Sequence, residues 1–438
     1  MSNIERSEIL KLAHAYYSQR PAEIFKPGET YIPPSGKMMD ADDCQTLIDA
    51  SLDMWLTAGR YADQFETELA EKFGRKFSKL TVSGSAANLL AFAALTSPKR
   101  RERRIVPGDE VITVAAGFPT TVAPIIQHGC VPVFVDVDLT THNVDVRQLE
   151  AAISPRTRAV MIAHSLGNPF DAPRIADLCR KHDLVLIEDC CDAFGATIGG
   201  LGVGTFGEIA TLSFYPAHHI TMGEGGAVLM DHPALAKITE SFRDWGRDCY
   251  CKPGKDNTCG NRFGWKLGEL PRGYDHKYTY SHIGYNLKVS DMQAALGVSQ
   301  LKKLDYFVQK RRENFAGLEA RLRDRGLDQF FHLPEATPGS DPSWFGYLLT
   351  VRDGTNIVRN EVVKAMEDLR VGTRLLFAGN LTRQPAFKEV KYRSDFELLN
   401  TDKIMSDSFW LGVWPGIDEQ RLDYMVASLE KVVKRVGR

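Results

Sequence analysis

Two rhythms of apolar and polar positions alternate along most of the chain. Short apolar runs bounded by turn residues recur at 80–83, 110–114, 132–138, 159–163, 184–187, 210–214 and 227–230. Between them, apolar residues fall at helical spacing over 42–58, 61–73, 84–95, 122–128, 173–182 and 233–245. Continuously apolar strands alternating with helices predict an α/β unit, a mostly parallel sheet covered on both faces, over residues 41–305.

The pattern changes at the ends. Residues 1–20 mix charges with Ile4, Ile9, Leu10, Leu12 and Ala13 as an amphipathic helix would, and the Pro- and Gly-rich stretch 24–39 reads as an extended arm, giving an N-terminal unit of residues 1–40. A helix is expected over 291–301 and a long amphipathic one from about 298 to 325, crossing into a smaller α+β unit over residues 306–438. That unit contains an apolar run at 344–351 and helices at 357–369 and 418–436. Residues 247–282 fit neither rhythm: they are dense in Cys, Gly, Lys, Tyr and Trp and too long for an ordinary connector. Long structureless loops in compact domains tend to be functional.

Composition narrows the class. With 438 residues, 43% hydrophobic and 25% charged, at a formal net charge of −2, the chain reads as globular and carries no broad basic field for nucleic acid. The basic run 99–104 reads as a solvated helix end or loop. No stretch approaches the roughly 20 apolar residues that span a bilayer, and residues 1–20 lack a signal-peptide core, so a cytoplasmic enzyme without membrane partner is expected. In that setting eight cysteines point to thiols or metal ligands before disulfides.

Three places carry candidate chemistry. The run at 80–83 feeds Gly84-Ser85-Ala86-Ala87-Asn88, a small-residue turn into a helix whose free N–H groups and positive dipole end suit a phosphate. The run at 184–187 ends in Glu188-Asp189-Cys190-Cys191-Asp192, where catalytic groups of such sheets gather. Thr211 to Val228, TLSFYPAHHITMGEGGAV, reads as strand, loop, strand with His218 and His219 at its tip. Histidine, with an unperturbed pKa of about 6.5, suits general-base work near neutral pH; the alternative is a histidine merely satisfied in a buried loop.

This last stretch resembles the Ser-Phe-x-x-x-Lys-x-Ile-Thr-x-Gly-Glu-Gly-Gly segment of the nucleotide-sugar aminotransferases, whose lysine tethers pyridoxal phosphate. Here His218 stands at the lysine position, as in the 3-dehydrases of 4-keto-6-deoxy sugars within that family. The resemblance runs from about residue 40 onward. It implies the aspartate-aminotransferase fold and pyridoxamine or pyridoxal phosphate held without a covalent bond, with His218 as the base. It further implies that Gly84 and Ser85 hold the phosphate, Phe118 lies on the pyridine face, and Asp189 keeps the pyridine nitrogen protonated. Asp192 takes the place near the ring hydroxyl, Ser213 belongs to the same binding set, and Asn286 reaches the phosphate of a neighbouring subunit, implying a homodimer. Residues 372–385, with Arg374, Asn380, Gln384 and Pro385, match where relatives contact the nucleotide sugar.

Cys191, Cys249, Cys251 and Cys259 follow the spacing Cys-x57-Cys-x-Cys-x7-Cys, which the lysine-bearing relatives lack. Four thiolates suit zinc or an iron–sulfur cluster, and the absence of Cys-x2-Cys pairs argues against zinc. Cys190 is an alternative to Cys191, whereas Cys44, Cys130 and Cys179 read as buried thiols. The spacing resembles that of the iron–sulfur 3-dehydrases. These imply a [2Fe–2S] cluster, a CDP-4-keto-6-deoxy-hexose substrate deoxygenated at C3 for lipopolysaccharide, and an NAD(P)H-dependent iron–sulfur flavin reductase as electron donor. Lys252, Lys255 and Arg262 are expected to steer that reductase. Two other readings stay open: a cluster-free GDP-4-keto-6-deoxymannose 3-dehydratase type, and a silent sensor or scaffold.

Overall fold

The computed structural model describes residues 4–21, 23–251 and 253–436. Residues 1–3 of the expected N-terminal helix, and Lys252, lie outside the described residues. Seven strands form the main sheet: β1 (Phe77–Thr81), β2 (Glu110–Val114), β3 (Val131–Val135), β4 (Thr157–Ala163), β5 (Val185–Asp189), β6 (Ile209–Ser213) and β7 (Gly226–Met230). Their spatial order is β1-β7-β6-β5-β4-β2-β3, and only β7 runs against its neighbours. Strands β5, β6 and β7 are buried at every position, as expected where helices cover both faces.

The helices that frame the site are α1 (Arg6–Ser18), α2 (Ala41–Leu52), α3 (Arg60–Phe73), α4 (Gly84–Leu95), α5 (Pro119–Gln127), α6 (Ala172–Lys181) and α7 (Pro233–Arg243). They are followed by α8 (Asp291–Leu301), α9 (Leu304–Asp324), α10 (Arg359–Asp368) and α11 (Glu419–Val436). Three boundaries depart from the sequence pattern for local reasons. The first helix after the arm stops at Leu52, because Met54 turns to a positive φ of 51°. In the same way Trp245, at φ 64°, ends α7 early, while Pro119 starts α5 three residues before the pattern indicated. The helix expected over 291–301 is α8, and the long one expected from about 298 begins only at Leu304 as α9, the two separated at Lys302–Lys303.

A smaller antiparallel sheet, β8 (Phe331–His332), β9 (Gly346–Val351) and β10 (Ser408–Gly412), packs with α9, α10 and α11. The N-terminal arm ties this part to the main sheet. Ile32 pairs with Val371, Trp414 Nε1 donates to the Pro33 carbonyl at 2.9 Å, and the Met38 carbonyl accepts from Gln300 on α8. No helix among the described residues is long and apolar enough to cross a membrane.

Candidate active site

A cavity of about 790 Å³ opens at the C-terminal ends of β5 and β6, between the main sheet and the smaller one. Its floor is Asp189, the last residue of β5. Asn88 Nδ2 and Thr121 Oγ1 donate to one carboxylate oxygen at 2.8 and 2.7 Å, and the Cys191 N–H donates to the other at 3.1 Å. Asn88 is itself oriented by Thr211 Oγ1 at 2.6 Å, so α4, α5 and β6 together fix this one buried carboxylate.

At one wall α4 points its N-terminus into the cavity. Ser83 caps the helix by accepting from the Ala86 N–H at 3.1 Å, which leaves Gly84 and Ser85 at the tip. Gly84 has to be glycine: an added Cβ would meet the Ser213 Cβ at 2.4 Å and the Cys191 sulfur at 3.1 Å. Free N–H groups, a positive helix end and this close approach form a cradle that suits a phosphate. Ser85 Oγ donates to Thr120 Oγ1 at 2.9 Å. Phe118 lies 47% exposed over the opening, edge-on to Phe377 with ring centroids 5.8 Å apart.

His218 enters from the opposite side. Its Nδ1 is buried without a hydrogen-bond partner and stands 3.4 Å from Asp192 Oδ1. Burial, and next the positive Arg311, lower the His218 pKa to about 4, while Asp189 pulls the other way. Burial, and next the negative Asp189, push Asp192 up to about 8, so at neutral pH the two facing groups are an uncharged imidazole and an uncharged carboxyl. Its neighbour His219 is turned away, with Nε2 2.8 Å from the Ser343 carbonyl.

Arg311 was not singled out from the sequence, although the signal was there. It sits on the same face of α9 as Leu304, Phe307, Val308, Phe315, Leu318 and Leu322, a charge within an apolar stripe. Its guanidinium is 1% exposed and donates to the carbonyls of Ala217 and His218 on one side and of Trp344 and Phe345 on the other, at 3.3–3.4 Å. The histidine loop is thereby tied to the entry of β9. Tyr215, Glu224, Phe345 and Trp410 also line the cavity and went unremarked in the sequence.

Gly84, Ser85, Phe118, Asp189, Cys191, Asp192, Ser213 and His218 are thus gathered around one space, joined by Arg374. Others are elsewhere. Asn286 does not line the cavity; its side-chain oxygen accepts from Lys288 Nζ at 2.8 Å. Asn380 is buried and bonded to Asp402, and Gln384 donates to the Ala378 carbonyl; neither lines this cavity. Cys249, Cys251 and Cys259 share a second, small cavity with Asp256, Arg262 and His276. Arg262 is paired there with Asp275 through two bonds of 2.9 and 2.7 Å.

Comparison with known proteins places this geometry. The chain is 55% identical to the lipopolysaccharide biosynthesis protein RfbH of Salmonella typhimurium, over 98% of both chains. It is 51% identical to the dTDP-4-dehydro-2,6-dideoxy-D-glucose 3-dehydratase of Saccharopolyspora spinosa, over 98% of this chain and 92% of that one. Among solved structures, the E. coli GDP-4-keto-6-deoxy-D-mannose-3-dehydratase with bound hydrated PLP superposes with a TM-score of 0.82 at 28% identity, covering 92% of this chain and all of that one. These likenesses bear out the aspartate-aminotransferase fold. Residues 37–430 match the family profile, and the chain belongs to the DegT/DnrJ/EryC1/StrS aminotransferase family.

Proposed function

We propose that this chain is a 3-dehydratase of nucleotide-linked 4-keto-6-deoxy sugars that binds pyridoxamine phosphate without a covalent tether. The observation that carries the reading is His218: an imidazole occupies the place of the cofactor-anchoring lysine, in a cavity whose floor is the fixed carboxylate of Asp189. When bound, the cofactor supplies an amine that condenses with the sugar's C4 ketone and a ring that accepts electrons. The chain's own residues do the rest. Gly84, Ser85 and the α4 N-terminus hold the phosphate, Ser213 flanks it, and Asp189 holds a proton on the ring nitrogen. His218, uncharged above about pH 4, takes the proton released at C4′ as the 3-hydroxyl departs. Asp192 keeps its proton beside the imidazole, and Arg374, which lines the cavity, would face the nucleotide diphosphate.

A finer reading assigns a CDP-4-keto-6-deoxy-hexose as substrate, 3,6-dideoxy sugars of lipopolysaccharide as the destination, and a [2Fe–2S] cluster fed by an iron–sulfur flavin reductase. The name of the Salmonella relative supports the destination, and the four cysteines support the cluster by donor chemistry. Within one chain, however, only three of those thiols share a cavity.

The test is direct. Borohydride treatment of the cofactor-loaded protein should leave every lysine unmodified, and solvent hydrogen should exchange at C4′ when the keto sugar is added. A pyridoxyl-lysine detected by mass spectrometry, or exchange without 3-hydroxyl loss, would remove the reading.

A further inference from the structure

The four thiols grouped by the sequence lie at opposite ends of one helix. The Cys191 sulfur is at the N-terminal end of α4, against Gly84 and Ser213. The loop cysteines are anchored near the other end. Asp248, next to Cys249, accepts from Lys99 Nζ at 2.7 Å, just beyond the α4 C-terminus. Where the loop returns, His282 bonds Ser97 Oγ at 2.7 Å and Ser241 Oγ at 2.8 Å. The base is further closed by Asp248 N–H to the Thr279 carbonyl and Ser281 N–H to the Gly246 carbonyl. Their shared cavity is walled by His276, whose Nε2 is 3.5 Å from Asp248 Oδ2, and on its far side Cys251 borders a cleft with Trp55, Gly59 and Asp291. Helix α4 has 12 residues. At 1.5 Å per residue that is about 18 Å, far beyond what the thiolates of one cluster span.

No other cysteine offers itself to the loop from within the chain. Cys130, Cys179 and Cys190 are buried in the cores, and Cys44 belongs to α2. Cys191 by contrast faces the open cavity. Meanwhile the ends of the loop segment present apolar groups to solvent: Ile283 is 96% exposed and Tyr280 about half exposed, while Trp245, also partly exposed, is covered on its ring by Lys288 and Arg247. Exposed apolar groups gathered at the two ends of one loop suit a protein interface.

We infer that the metal centre is completed between two copies of the chain, Cys191 of one protomer joining Cys249, Cys251 and Cys259 of the other, with two clusters per dimer. The inference rests on the iron–sulfur reading above and adds where the fourth ligand comes from. It also gives the loop a reason to sit away from its own cavity, since it serves the cavity of its neighbour.

Mixed dimers test this without reference to turnover. C191S and C249S chains carrying different tags are co-expressed, the heterodimer is isolated on both tags, and iron and sulfide are reconstituted anaerobically. Iron, sulfide and visible absorption are then counted per dimer. Each homodimer should be empty, and the heterodimer should carry one cluster, half the wild-type content. Wild type paired with a doubly substituted C191S/C249S chain should carry none, whereas ligation within one chain gives it one. The opposite result in the two heterodimers overturns the inference, as does a wild-type monomer with full iron. A wild-type dimer that takes up no iron removes the cluster reading itself, and the inference with it. C259S replaces C249S if the latter fails to elute as a folded dimer.

Discussion

The main cavity and the loop over residues 247–282 are both rich in chemistry, and they are built in opposite ways. Around the cavity, polar groups are buried and cross-linked: Asp189 is held from α4, α5 and its own turn, and His218 is clamped by Arg311. In the loop, the ties are ion pairs open to solvent, such as Arg262 with Asp275 and Lys277 with Asp256. Desolvated groups gain large pKa shifts and fixed geometry, whereas exposed pairs contribute little and open locally. The cavity is therefore complete in one chain as a proton-handling site, and the loop reads as a part awaiting a counterpart.

Perturbing the base should separate the two regions most sharply. His218→Asn is expected to lower C4′ exchange by about 10²–10⁴-fold while iron content and cofactor absorbance stay as in the parent. Should His219→Asn produce that loss instead, the base has been misassigned by one residue.

Arg311 comes next. Arg311→Met frees the loop carrying His218, and a misplacement of about 1 Å is worth about 10²-fold in rate. Because its charge opposes protonation of His218, its removal should also move the acid limb of the kcat/KM profile to higher pH. Groups facing that imidazole are Asp192, Asp189, His219 and Arg311, and among them Arg311 is the one that disfavours its charged form. Arg311→Lys keeps a charge without the four carbonyl bonds, so the limb should return toward its original position while the rate stays low. An unmoved limb in Arg311→Met leaves the residue a purely structural one.

How much of this was legible in the sequence follows the same division. Strand and helix alternation, the Gly84 turn and the Asp189 strand end are local patterns, and the structure realises them at those residues. Arg311 was legible in principle, as a cation on the apolar stripe of α9, but its partners are backbone carbonyls that no residue type announces. The bounds expected for α8 and α9 overlap, because the amphipathic spacing continues across Lys302–Lys303 and does not mark where the second begins. The cysteine spacing shows a set and says nothing of distance, so the separation of Cys191 from the other three emerges only in three dimensions.

A smaller effect concerns stability. Asp192 keeps a proton in the folded state up to about pH 8, whereas the unfolded chain releases it near the ordinary carboxylate pKa of about 3.9. Folding stability is therefore lost between about pH 4 and pH 8, as the unfolded state binds fewer protons, and is level above that window. Asp192→Asn removes this penalty, so its melting temperature should exceed the parent's by a margin that grows across the window, to roughly 6 °C at its upper end. Equal melting curves at pH 5 and pH 8 would count against a buried neutral carboxyl. The smallest change belongs to the loop: Arg262→Gln should leave the melting temperature of the whole protein unaltered and quicken amide exchange only around residues 256–277.

The arm that borders the cavity has a consequence for the order in which the protein is made. Ser35 lines the active cavity, and the segment around it is held by Val371 and by Trp414, which reaches back across 381 residues to the Pro33 carbonyl. Translation delivers the arm first and its partners last. At about 5–20 residues per second, the nascent arm waits roughly 20–75 s before Trp414 exists to receive it. The wall of the cavity that carries Ser35 is thus among the final pieces to close, and cofactor capture in the finished pocket follows release of the C-terminal third rather than accompanying synthesis of the main sheet.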